Sequence, residues 1–172
     1  MSNVNLILTE LSKKQEDTIT LPFSKKEVKL SKPKFKFQEE IFQLFEKYDS
    51  EQAAILSYRK YINNYITSSI GNEINILDKH FYLYSVANKL NNEDKYTDIL
   101  NDIPKLDITS TFENSEDGFD FKFTLDAPSV KTENSFIKFF NNKKELKIVE
   151  YAFCDIFRFV KTITINNDES LS

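Results

Sequence analysis

The stretch Phe119-Asp120-Phe121-Lys122-Phe123-Thr124-Leu125 alternates apolar and polar side chains without interruption. Successive side chains of a strand point to opposite faces, so Phe119, Phe121, Phe123 and Leu125 share one face and Asp120, Lys122 and Thr124 the other. Ile108–Phe112 is also β-prone, and Ser115–Gly118 between the two runs has turn chemistry, which together predict an antiparallel hairpin. A second, shorter hairpin is expected from Ile19–Leu21 and Glu27–Leu30 around Pro22–Lys26. Two short strands are marginal alone in water, so this pair must pack on something larger.

The runs around these hairpins change period. Ile41, Phe42, Leu44 and Phe45 recur at helical spacing from about Gln38, with Glu39 and Glu40 in the first turn, where the helix dipole favours negative charge. Tyr48-Asp49-Ser50 breaks that helix, and Asp49 or Ser50 can cap a second one. Its inner face is expected to hold Ala53, Ala54, Leu56, Tyr58, Tyr61, Ile62 and Tyr65, with Gly71 closing the region. A third helix is predicted over Ile76–Leu90, and a short one around Phe136–Phe140. The last, Glu145–Val160, carries Val149, Ala152, Phe153, Ile156, Phe157 and Val160 as an inner stripe, and Thr162–Ile165 after it is β-prone. Helices and strands are mixed without βαβ repeats, which predicts an α+β fold with a core of four to five helices and two short antiparallel hairpins. The expected organisation is an extended N-terminal arm over 1–18, one domain over 19–165 and a polar tail over 166–172.

With 172 residues, 40% hydrophobic and 29% charged, the chain has the size and composition of one globular domain. Several chemistries are excluded by count alone. One cysteine, Cys154, and one histidine, His80, cannot form a disulfide framework, a multi-cysteine zinc site or a histidine cluster within one chain. Two glycines, Gly71 and Gly118, cannot build a glycine-rich phosphate loop. No apolar run approaches the roughly 18 residues that span a bilayer. Met1–Glu10 lacks the basic region and cleavage site of a secretory leader, so cytosolic synthesis is expected. Cys154 sits among Phe153, Ile156 and Phe157 as a small core hydrophobe would, and His80 lies on a helix without an evident partner. The acids of Glu113–Asp120 surround a turn and lack the ligand spacing of a calcium loop. No catalytic, cofactor or metal residue is therefore assigned, and the chain is not expected to be an enzyme.

Charge is unevenly placed. Glu93 to Asp126 holds ten acids against three lysines, whereas Lys25, Lys26, Lys29, Lys32, Lys34 and Lys36 crowd twelve residues that contain one acid, Glu27. Lys34 and Lys36 alternate with Phe35 and Phe37, which gives a strand one charged and one apolar face. Such a strip protects a sheet edge from aggregation, docks on an acidic protein, or follows a nucleic-acid backbone. The net charge of −4 and the scarcity of arginine speak against nucleic acid. Lys29, Lys32, Lys34 and Lys36 are the candidate partner contacts.

The order of segments resembles the baseplate hub subunit family of T-even-type contractile-tailed bacteriophages. The resemblance is carried by Leu21-Pro22-Phe23-Ser24-Lys25-Lys26-Glu27-Val28, then Pro33, then Glu39-Glu40 with Leu44. It continues through Tyr58–Thr67, Leu77-Asp78-Lys79-His80-Phe81-Tyr82-Leu83 and the strand Phe121–Pro128, and ends with the helix around Cys154-Asp155-Ile156 and the turn Asn167-Asp168-Glu169. Family members often carry cysteine pairs in a metal-binding insertion and a C-terminal extension; this chain has neither and is similar to a shortened, metal-free version. The resemblance implies a structural or assembly role in the virion tail baseplate, or in the host cytoplasm during assembly, with no catalytic residues to transfer. Its implied partners are other tail or baseplate hub proteins, the tape-measure protein, or further copies of the chain; neither a membrane nor nucleic acid is among them.

Overall fold

The computed structural model describes residues 17–47, 51–91, 94–107, 109–116, 119–141 and 148–167. The fold is α+β: six α-helices and two small antiparallel sheets among the described residues. The expected N-terminal arm lies outside them, except for its last two positions. Strand β1 (Thr18–Thr20) pairs with β2 (Glu27–Lys29), Ile19 opposite Val28. Their connection is closed by Leu21 N–H donating to the Lys26 carbonyl at 2.9 Å and Lys25 N–H to the Leu21 carbonyl at 3.1 Å, with Lys25 at a φ of 56°. The hairpin packs through Leu21 and Val28 into the main core, beside Ile66, Ile70, Ile74, Tyr82, Val86 and Val130.

Helix α1 (Phe35–Lys47) begins three residues earlier than its apolar stripe predicts, directly after the Pro33-Lys34 step. The expected strand-like alternation of Lys34–Phe37 is therefore corrected: on a helix, Phe35 and Phe37 do not share a face. Phe37 packs on Tyr61 and Tyr65, whereas Phe35 is 80% exposed.

Helix α2 (Glu51–Ile70) ends at Gly71, whose φ of 94° is the left-handed conformation that glycine adopts without a steric penalty. Lys26 Nζ donates to the Ile70 carbonyl at 2.7 Å, placing a cation where the helix exposes unpaired carbonyls. Asn75 caps α3 (Ile76–Asn91) by accepting the Asp78 N–H at 2.8 Å. Short α4 (Thr97–Asp102) and a 3₁₀ turn (Ile103–Lys105) follow.

Strands β3 (Ser110–Glu116), β4 (Phe119–Leu125) and β5 (Val160–Asn167) form the second sheet in that order. The predicted hairpin thus gains a third strand. It is also longer than expected, since Ser115 and Glu116, assigned to the turn, pair with Asp120 and Phe119. Continuing the phenylalanine ladder through Asn114 opposite Phe121 satisfies further backbone groups and shortens the loop. Between β4 and β5 come α5 (Val130–Asn141), capped by Ser129, and α6 (Ile148–Phe157). Leu56, Ile137 and Phe140, with Phe136 and Tyr151 against them, make a second, smaller core.

Helix α6 departs from the expectation. The stripe read as core-facing is on the outside: Val149 is 79% exposed, and Phe153, Ile156 and Phe157 are all exposed. The chain turns at Arg158–Phe159 into β5, so Val160 pairs with Leu125 rather than extending the helix.

Candidate functional site

Lys29 at the end of β2, Lys32 and Lys34 in the link and Lys36 in the first turn of α1 line one cleft of about 600 Å³. The opposite wall is α2, which contributes Tyr61 and Tyr65 one turn apart. Phe37 stacks on Tyr61 with ring centroids 4.7 Å apart and lies 5.0 Å from Tyr65. The Tyr65 hydroxyl donates to the Ser31 carbonyl, and Ser31 N–H donates to the Tyr82 hydroxyl at 3.0 Å, which pins the link to α2 and α3. Burial, then the neighbouring Tyr82, raises the Tyr65 phenol well above its ordinary value, so it stays neutral.

Glu40 is the acid on this wall, held 3.6 Å from Lys36 in a largely exposed pair that contributes little. The cleft therefore combines an ammonium-rich rim with an aromatic wall. That combination is complementary in charge and polarity to an extended acidic segment bearing an apolar side chain.

A second cleft, of about 640 Å³, was not foreseen from the sequence. Tyr58, Arg59 and Ile62 of α2 face Lys79, His80 and Leu83 of α3 across it, and Glu133 and Arg158 lie at its inner end. Lys79 Nζ donates to Glu133 Oε2 at 2.5 Å and to Asn63 Oδ1 at 3.1 Å. Arg158 donates to Glu133 Oε1 at 2.8 Å and lies 3.1 Å from Asp155 Oδ1, which Arg59 also reaches at 2.8 Å. The side chains of Lys79 and Glu133 are each 6% exposed. Burial alone raises the Glu133 carboxyl, but the charge and hydrogen bond of Lys79, with Arg158 beside it, outweigh that and leave it below its ordinary value. Burial lowers Lys79.

His80 reaches solvent at the mouth of this cleft, its ring 6.4 Å from Tyr84. Crowding by the walls, then the adjacent Lys79 charge, lowers its imidazole, so it is neutral at pH 7. The Cys154 side chain lies outside the described residues. Glu113 pairs with Lys122 at 2.7 Å and Asp120 accepts from Ser115, so both side chains are engaged within the sheet.

A third feature is a surface. The register places Phe112, Phe123 and Ile163 in one row and Phe121 and Ile165 in the next, all on one face of the sheet. Phe112 is 56%, Ile163 47% and Ile165 54% exposed, so the face is not covered by the described residues. Among those residues, no helix is long and apolar enough to cross a membrane. No protein-family model, curated protein or solved structure matches this chain.

Proposed function

We propose that this protein works by docking other proteins, as a structural or assembly component of a contractile phage tail baseplate hub, with no catalysis of its own. The observation that carries the docking reading is the apolar face of the three-stranded sheet, which the described residues leave uncovered. Contiguous exposed apolar surface on a small domain marks an interaction site, because leaving it wet forgoes roughly 25 cal/mol for each Å². The order of segments, similar to the hub subunit family, supplies the setting: the virion tail baseplate, with neighbouring hub proteins or further copies of the chain as partners.

The lysine-lined cleft favours a second reading. A cationic, aromatic-walled cleft suits an extended acidic segment, as a tail assembly chaperone holding the tape-measure protein requires. On that reading the protein acts in the host cytoplasm and leaves before the particle is complete.

Mass spectrometry of purified particles from the encoding phage tests both. Recovery of the chain in particles supports the hub component. Its absence there, with recovery on the tape-measure protein from infected cells, supports the chaperone. Recovery on neither rejects the phage-tail setting.

A further inference from the structure

We infer that the cleft between α2 and α3 is a binding site for a small aromatic monocarboxylate, with the ring against the aromatic wall and the carboxylate at the inner cationic end. This inference is independent of the docking surfaces. The charge pattern comes first. Lys79, Arg59 and Arg158 are three cations, and Glu133 and Asp155, the carboxylates bonded to them, are two. Among the described residues, the inner end thus carries one more positive than negative charge.

Lys79 and Arg158 are nearly buried and Arg59 is partly exposed, so an incoming anion would balance the charge where water reaches it least. Lys79 donates to Glu133 and Asn63, and an ammonium has three protons to give. Arg59 donates to Asp155 through one terminal nitrogen, and a guanidinium has five donors in a fixed fork. A single incoming carboxylate matches both the charge and the donors.

The walls set the rest of the ligand. Tyr84 lies 5.1 Å from Tyr96 and 6.4 Å from His80, forming an aromatic run along one side. Ile55 and Ile62 of α2 supply apolar surface opposite it. Flat rings stack on such a run, whereas a polyphosphate leaves it unused. A volume of about 640 Å³ is that of a small-molecule site.

The stripes 55-58-59-62 and 76-79-80-83-84-87 have the spacing of two helices that close on each other; here they line an opening instead. Charged groups from α2, α3 and α5 and from the α6–β5 turn, nearly buried except for Arg59, meet at one end of an apolar cleft, which is the arrangement of a ligand site rather than of a core.

Titration calorimetry of the full chain with 2-naphthoate, paired with amide shift mapping by NMR, tests this. Expected are saturable binding, shift changes confined to the facing segments around Arg59 and His80, and affinity for the uncharged 2-naphthalenemethanol at least about ten-fold weaker. Arg59→Gln, at the partly exposed edge of the network, should weaken 2-naphthoate about ten-fold with an unchanged fold. Should that variant not fold, Tyr84→Ala tests the ring wall in the same way. No saturation up to the solubility of the probe, equal binding of the alcohol, or shifts on the β3–β4–β5 face would each overturn the proposal.

Discussion

Asp78 illustrates how one side chain joins distant elements. It is fully buried on α3, and its two oxygens accept the Phe23 and Ser24 N–H groups at 2.9 and 2.8 Å, so the β1–β2 turn hangs on a helix carboxylate. Hydrogen bonds to a charged acceptor are worth more than neutral ones, so Asp78→Ala should cost about 3 kcal/mol and Asp78→Asn roughly half of that, read from urea unfolding midpoints. Glu133 carries a larger share, because it is the acid between buried Lys79 and Arg158. Glu133→Gln leaves those cations without it and should cost about 3–5 kcal/mol at pH 7. The pH dependence has a definite sign. The folded carboxyl lies below its ordinary value, so its contribution is complete above the ordinary glutamate range and is lost as pH falls through the folded value. The gap between wild type and Glu133→Gln should therefore narrow steadily on acidification, measured as unfolding midpoints from pH 7 down to acid; a constant gap contradicts the assignment.

Elements with a strict period were legible in the sequence, and those whose ends depend on tertiary contacts were not. Phe119–Leu125 reads as a strand because only a strand puts its three phenylalanines on one side, and β4 has those bounds. Ile76–Leu90 was within one residue of α3. The start of α1 was missed because Phe35 and Phe37 fit either period locally, and the stacking of Phe37 on Tyr61 decides between them. The exposed face of α6 was missed because a helical stripe says that a face is apolar, not that anything covers it. At the candidate sites, the four lysines were found by their density. The buried ion network was not, since its members are far apart in the chain, yet one signal was available: Arg59 and Arg158 are the only arginines among 172 residues, and both reach Asp155. In a chain that uses lysine for surface charge, arginine marks positions where a planar, multiply bonded cation is needed. The docking of α1 has its own test. Phe37→Ala removes the ring between Tyr61 and Tyr65 and should cost about 2 kcal/mol. Amide hydrogen exchange should accelerate across Phe35–Lys47 while α3 keeps its protection, because α3 is anchored through Tyr82 and Asp78 instead.

At the scale of the whole molecule, the three candidate features lie on separate regions. The lysine cleft lies where β2 runs into α1, the ion network where α2, α3 and α5 meet, and the apolar rows on the three-stranded sheet, whose opposite face carries the Lys122–Glu113 pair. This sorting separates stability from docking. The two cores reside in the helices and the first hairpin, so charges added to the apolar face of the sheet remove little buried surface. Ile163→Lys and Ile165→Lys together should shift stability by about 1 kcal/mol or less, since both side chains are about half-exposed and a lysine stem still covers part of its neighbours. If the proposed hub role holds, the same pair should abolish incorporation into particles, or capture by the tape-measure protein on the alternative reading, because two ammonium groups on adjoining rows cannot be desolvated against an apolar partner. Urea unfolding and particle incorporation, measured on one preparation, separate the two effects. Normal stability with lost incorporation places the interface on this face; normal stability with normal incorporation moves it to the lysine cleft, where Lys32→Glu with Lys36→Glu becomes the deciding variant.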